Sequence, residues 1–371
     1  MLNKSISLEK KLASIHKALH AELDFVDRIA VAAYDPATDI LKTFLASSPG
    51  HSELVRYEAR LADARSLAEI VRSGKPRVVD DTAIFRQGRH AHTAIMAKEG
   101  FQSSYTVPMY CDGSFWGFIF FNSHRRAPFN EASLRHLDVF AHLISAIVIE
   151  EMLAVRVLAA SVKTALDMAH YRDPETGEHM TRVAHFARLI ARHLAAGGVA
   201  ALNDAAIEHI FEFAPLHDLG KLAVPDRILL KPGQLSEEER AEMKQHTVRG
   251  RAMVDAIAHN FGLEQLDGFD MLRHIAESHH ENMNGSGYPH GLRGEEIPLE
   301  ARIVAVADVF DALTSIRPYK PTWTNDEAFA WLRKLARSKF DEKCVEALIF
   351  NQQNVEEIQA RFKDTLETNA P

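Results

Sequence analysis

Residues 279–320 read HHENMNGSGYPHGLRGEEIPLEARIVAVADVFDALTSIRPYK. Two adjacent histidines, His279 and His280, lead into a loop where Gly285, Gly287 and Pro289 permit a sharp turn. The apolar stretch that follows has helical spacing, with Asp308 inside it and Asp311 one turn later. A carboxylate among such neighbours needs a cation or a hydrogen-bond network, because an unpaired buried charge is costly. Working outward, the same residue types recur upstream: lone His246 in MKQHTVRG, His217-Asp218 in FEFAPLHDLGKL, and Glu175 with His179, four apart, in PETGEH. Each cluster taken alone reads as a helix-end glutamate or a core or capping histidine. Together they form a ligand set of imidazoles and carboxylates. That set suits divalent transition metals, whereas calcium wants oxygens alone and structural zinc usually wants thiolates. The chemistry it suggests is metal-activated water attacking a phosphate.

The remaining composition narrows the class. A chain of 371 residues is long enough for two domains with separate cores. With 46% hydrophobic and 25% charged residues, it has the make-up of a soluble globular protein. A formal charge of −8 argues against a broad basic face for nucleic acid. Cys111 and Cys344 cannot make a disulfide framework and fit a reducing compartment. No apolar run approaches the ~20 residues that cross a bilayer, and the N-terminus has no signal-peptide block. The expectation is a cytoplasmic protein that meets neither membrane nor nucleic acid.

Ahead of the metal-rich region the pattern changes. Leu8, Leu12, Ile15, Leu19 and Leu23 lie at helical spacing, and two strand-like runs, RIAVAAYD and ILKTFLASS, follow. A helix near LADARSLAEIVRSG ends at Gly74, and KPRVVDD reads as a short strand. The clearest hairpin is SSYTVPMY–CDGS–FWGFIFFNS, turning at Asp112-Gly113, and Asn130 is placed to cap the next helix. The segments SLAEIVRSGKPRVVDD, TVPMYCDGSFWGFIFF and FNEASLRHLDVFAHLISAIV give residues 1–150 a resemblance to the GAF family of small sensory α/β domains. The resemblance implies a central antiparallel sheet, an unidentified small ligand, and dimerisation as a common role. Cys111 as a chromophore attachment point, and His90 and His92 as haem or metal ligands, are weaker readings than a strand residue and a solvated loop.

From Glu131 to Asp173 there is no glycine or proline. Leu137, Phe140, Ile144, Val148, Met152, Val155, Ala159, Val162, Leu166 and Ala169 recur at three-four spacing. A single linker helix over about 130–170, pairing two chains as a parallel dimer, competes with two shorter helices broken near Glu150-Glu151. The continuous helix is preferred. Residues 155–371 then read as almost all helical, which makes the whole chain α+β, and the stretch after Lys343 reads as one closing helix with a frayed tail.

HDLGK followed by residues 279–320 resembles the HD-GYP family of cyclic di-GMP phosphodiesterases, over roughly residues 160–350. The resemblance implies an all-α bundle with metals between its helices. It implies metal ligands at His217, Asp218, His246, His279, His280 and Asp308, with Asp218 bridging, and a third metal at Glu175 and His179. Two or three divalent metals follow, three preferred because Glu175 is present, with iron or manganese ahead of zinc. Asp218 and Lys221 would act at the reacting phosphate. Arg317 and Lys320 would grip phosphates, with Tyr288, Gly287 and Pro289 forming the loop that meets the base. Asp311 would support the site from behind the ligands. Asn282 and Asn284 stand where the family often has a basic residue and an aspartate, which bears on substrate affinity rather than metal binding. The products expected are linear pGpG, GMP or both. The rivals are hydrolysis of another cyclic dinucleotide, and a non-catalytic cyclic di-GMP receptor or docking module for a diguanylate cyclase.

Overall fold

The computed structural model describes residues 6–36, 38–48, 58–82, 100–169, 177–198, 202–263, 268–315 and 322–363. It divides into two compact units, Met1–Ala154 and Val155–Pro371.

The first unit is organised by a six-stranded antiparallel sheet. Its strands are β1 (Arg28–Asp35), β2 (Ile40–Ser47), β3 (Glu58–Arg60), β4 (Arg77–Val79), β5 (Ser103–Cys111) and β6 (Ser114–Ser123), in the spatial order β3-β2-β1-β6-β5-β4. The β5–β6 hairpin turns at Asp112-Gly113, both with positive φ, the twist a two-residue hairpin requires. β1 is buried at almost every position, so it lacks the alternation of a half-exposed strand. Ala32, Leu41 and Phe118 of the sheet pack with Leu61 and Ile70, the latter from helix Arg65–Ser73. Helix Leu8–Glu22 buries Leu8, Leu12, Ile15 and Leu19, and its His16 Nδ1 lies 2.8 Å from Ser47 Oγ. Cys111 ends a strand beside the turn. His90 and His92 lie outside the described residues.

Glu131–Ala169 is one unbroken helix, entered through Asn130, whose side chain accepts from the amides of Ala132 and Ser133. The stripe expected to pair two chains needs correction. Leu137, Ile144, Val148 and Val155 are already buried against the chain's own residues. The large apolar side chains this helix exposes are Val139, Leu143, Leu153 and Val157, on a stripe offset from the expected one. Ala159, Val162, Leu166 and Ala169 have side chains outside the described set.

The second unit is built of helices joined by loops, with no strand longer than an isolated bridge among its described residues. Helices Gly177–Ala196, Asp204–Phe213, Phe269–Ser278, Leu299–Thr314 and Glu342–Phe350 share one apolar core that includes Phe186, Ile190, Phe213, Leu272, Ile275, Val306 and Phe310. The stretch around His246 holds two helices, Glu237–Lys244 and His246–Phe261. Ser236 opens the first with a reciprocal capping box to Glu239. The closing helix is likewise two, Glu342–Phe350 and Gln352–Arg361. No helix among the described residues is long and apolar enough to cross a membrane.

Candidate metal centre

Breaks between helices, more than helix interiors, place the candidate ligand side chains. Pro215 sits in a tight turn after helix Asp204–Phe213, and His217 and Asp218 fall between that turn and a second one, Leu219–Ala223. His246 is the first residue of its helix, and His279 directly follows helix Phe269–Ser278. His179 and Asp308 lie within their helices.

Every one of these imidazoles but His280 has its Nδ1 spoken for. His217, His246 and His279 donate from Nδ1 to the carbonyls of Ala214, Met243 and Ile275, each at 2.8 Å. His179 donates from Nδ1 to Asp311 Oδ2, also at 2.8 Å. A carbonyl or carboxylate can only accept, so the proton is at Nδ1 and a neutral ring presents a lone pair at Nε2.

Those Nε2 atoms converge on two carboxylates. Asp218, His246, His279 and His280 form one group and His179, His217 and Asp308 another, the ligand atoms in each lying within 4.8 Å of one another. Asp218 joins the two. Its Oδ1 is 3.2 Å from His246 Nε2 and 3.6 Å from His279 Nε2, while its Oδ2 is 3.3 Å from His217 Nε2. Asp308 Oδ1 stands 3.6 Å from His179 Nε2 and 3.8 Å from His217 Nε2. His246 Nε2, His279 Nε2 and Asp218 Oδ1 are buried yet make no hydrogen bond of acceptable geometry. Three buried polar atoms with this orientation fit a divalent cation, which takes neutral imidazole and carboxylate together.

Electrostatics prepares the same protonation states. Burial drives the His279 and His280 imidazoles below their ordinary range, and neighbouring imidazoles push the same way. Burial alone would raise the Asp218 carboxyl, but the Lys221 ammonium and His217 beside it hold it well below the usual carboxylate range. Lys221 Nζ is 2.8 Å from Asp218 Oδ2.

Tyr288 lies over this group, its ring centroid 4.8 Å from that of His280, with Lys244 Nζ 5.1 Å above the Tyr288 ring. Burial raises the phenol's pKa, so Tyr288 is a neutral, half-buried platform. Gly287 allows the loop to fold so closely: a Cβ there would stand 2.3 Å from Asn282 N and 2.6 Å from His280 O. Pro289 follows in the same loop, while Glu175, Arg317 and Lys320 lie outside the described residues. Asp308 is not the buried carboxylate its apolar neighbours suggested: its side chain is 17% exposed, against 1% for Asp311.

Two structural roles had no signal that was used. Buried Glu281 accepts from three successive backbone amides, those of His290, Gly291 and Leu292, and so fixes the loop behind Tyr288. Gly220 lets the HDLGK turn touch the backbone at His246 and Gly250. A glycine just after a ligand doublet was the available clue.

Residues 163–344 match the family model of the HD domain, and residues 7–148 that of the GAF domain. Over 192 residues the chain is 45% identical to the cyclic di-GMP phosphodiesterase response regulator RpfG of Xanthomonas campestris pv. campestris, covering 52% of this chain and 47% of that one. It is 37% identical over 193 residues to 3'3'-cGAMP-specific phosphodiesterase 2 of Vibrio cholerae, covering 52% of this chain and 34% of that one. Among solved structures, the GAF domain/HD domain protein of Geobacter sulfurreducens aligns at 13% identity with a TM-score of 0.34, covering 41% of this chain and 99% of that one. The chain thus spans about half or less of the length of these two curated relatives.

Proposed function

We propose that this chain, whose residues 7–148 match the GAF domain model and residues 163–344 the HD domain model, is a metal-dependent phosphodiesterase that opens cyclic di-GMP to linear pGpG, GMP or both. The observation that carries this reading is the convergence of Nε2 lone pairs from four separated imidazoles on Asp218 and Asp308. A divalent metal held there supplies positive charge and an activated water for attack at phosphorus. The chain's own groups do the rest. Neutral His279 and His280 keep lone pairs available, and Asp218 stays ionised between the two groups. Lys221 offsets negative charge at the phosphate, and Tyr288 offers its ring to a base. Arg317 and Lys320 grip the phosphates, the first as a fork and the second as a point charge. Glu175 joins His179 in holding a third metal, with iron or manganese preferred over zinc.

The deciding experiment is metal content on anaerobically purified protein, with cyclic di-GMP turnover measured on the same sample. Two or three metals per chain with hydrolysis is the expected result, and three would give Glu175 its role. Metal without turnover of this substrate, but with turnover of 3'3'-cGAMP in a competition assay, would move the substrate to that of the Vibrio cholerae relative. A chain that binds cyclic di-GMP but holds no metal would instead be a receptor or a docking module, for example for a diguanylate cyclase.

In the same reading the GAF domain regulates the second domain in the cytoplasm, through a ligand still to be identified, and two chains pair along helix Glu131–Ala169. The exposed Val139, Leu143, Leu153 and Val157 are spaced by four, ten and four residues, which keeps them on one heptad seam. The double substitution Leu143→Glu with Leu153→Glu should therefore convert a dimer to a monomer in sedimentation velocity. A variant that sediments like the wild type would remove this seam from the proposal.

A further inference from the structure

The imidazoles of the two groups are not all held by the same device. His246 and His279 are oriented by carbonyls of their own helical turns, as is His217. His179 is oriented by a side chain, Asp311, which is itself held by Arg182. Arg182 is buried, 4% exposed, and its Nε and Nη2 donate to Asp311 Oδ1 and Oδ2 at 2.6 and 3.0 Å. The same guanidinium donates from Nη1 to the carbonyl of Phe362 at 2.8 Å and from Nη2 to Ser315 Oγ at 2.8 Å. Phe362 lies 180 residues downstream, just past helix Gln352–Arg361. Its ring stacks on His185 with centroids 4.7 Å apart and planes 20° apart, three residues along from Arg182. Gln359 adds a second tie, donating to Thr314 Oγ1 at 3.2 Å, at the end of the helix that carries Asp308 and Asp311.

We propose that Arg182 is a positioning residue for the His179–His217–Asp308 group, and that through it the segment ending at Phe362 straps that half of the metal centre in place. A planar fork suits the task, because one guanidinium can hold both oxygens of Asp311 and still reach a carbonyl on a third element. The segment is then a working part of the site, although none of its residues is a ligand. The Asp218–His246–His279–His280 group has no such dependence, since its two oriented imidazoles, His246 and His279, are set by local backbone. Loosening the strap should therefore weaken one metal position and spare the other.

This inference rests on the metal reading above, and the test separates the two. The full chain is stripped, titrated with manganese(II), and its bound metal counted per folded chain, alongside far-ultraviolet circular dichroism. Three variants are compared with the wild type: Arg182→Lys, a chain ended after Arg361, and a chain ended after Lys363. The first two should keep their helix content and weaken one manganese equivalent by about 10–100-fold, the usual effect of removing a group that orients a ligand. The chain ended after Lys363 keeps the Phe362 carbonyl and should titrate as the wild type. Full wild-type binding in both Arg182→Lys and the chain ended after Arg361 would overturn the proposal. So would parallel loss of every equivalent and of helix content, which marks a purely structural residue. A wild type that binds no manganese would overturn the metal reading first and this inference with it.

Discussion

His217→Ala combined with Asp218→Ala should abolish cyclic di-GMP hydrolysis, by on the order of 10³-fold or more, while leaving the far-ultraviolet circular dichroism close to that of the wild type. The size of the effect follows from where Asp218 stands. Its two oxygens face His246 and His279 on one side and His217 on the other, so a single carboxylate serves both ligand groups. Removing it also takes away the carboxylate oxygen that pairs with the Lys221 ammonium at 2.8 Å. The fold should survive because the apolar core of the unit, in which Phe186, Phe213, Ile275 and Phe310 are fully buried, does not include these two side chains. Bound metal should fall with turnover in the same preparation. Wild-type turnover in the double variant would sink the assignment of the site.

Gly220→Ala should be the most damaging single-methyl change in the second domain. A Cβ at Gly220 would lie 1.8 Å from His246 O and 2.5 Å from Gly250 N, both backbone atoms that cannot swing aside. The turn and helix His246–Phe261 must separate, which overpacking data put at about 3 kcal/mol, or a fall in melting temperature of roughly 6–12 °C for a unit of this size. His246 moves with its helix, so bound metal should drop as well. Gly250→Ala is the internal comparison, because its Cβ would come no closer than 3.2 Å to Gly220 N. Differential scanning calorimetry should show Gly220→Ala losing clearly more than Gly250→Ala. The reverse order would mean that this contact does not set the spacing.

Much of this could be read from the chain beforehand, for reasons that are local. A positive-φ turn at Asp112-Gly113 and an Asn cap at residue 130 are decided by neighbours a few residues away. The absence of glycine and proline after Glu131 allowed one helix, and one helix formed. His217, Asp218, His246, His279, His280, His179 and Asp308 were all legible as metal-ligand types, and the structure brings them together. What stayed hidden depends on distance along the chain. Nothing near Arg182 in sequence announces Phe362, and nothing near Gly220 announces Gly250. The helix seam was misjudged for a related reason. Apolar residues fill more than one face of Glu131–Ala169, and periodicity alone cannot say which face the chain's own core will claim. Asp308 was expected to be buried because its flanking residues are apolar, yet its side chain keeps 17% exposure.

The Nδ1 contacts have a consequence for how the site is filled. Carbonyls three or four residues back orient the rings of His217, His246 and His279, so local backbone contacts take up much of the rotational entropy cost of ordering them. An ion bound as proposed would find these rings oriented by backbone and need not assemble its whole cage itself. Filling and emptying of such a site can proceed without unfolding, so cations should exchange at the pace of their own water shells. Nitrogen and oxygen donors held this way discriminate weakly between close neighbours such as iron and manganese. Which cation occupies the site in a living cell is then decided largely by supply, and protein made in differently fed cultures should come out carrying different metals on an unchanged scaffold.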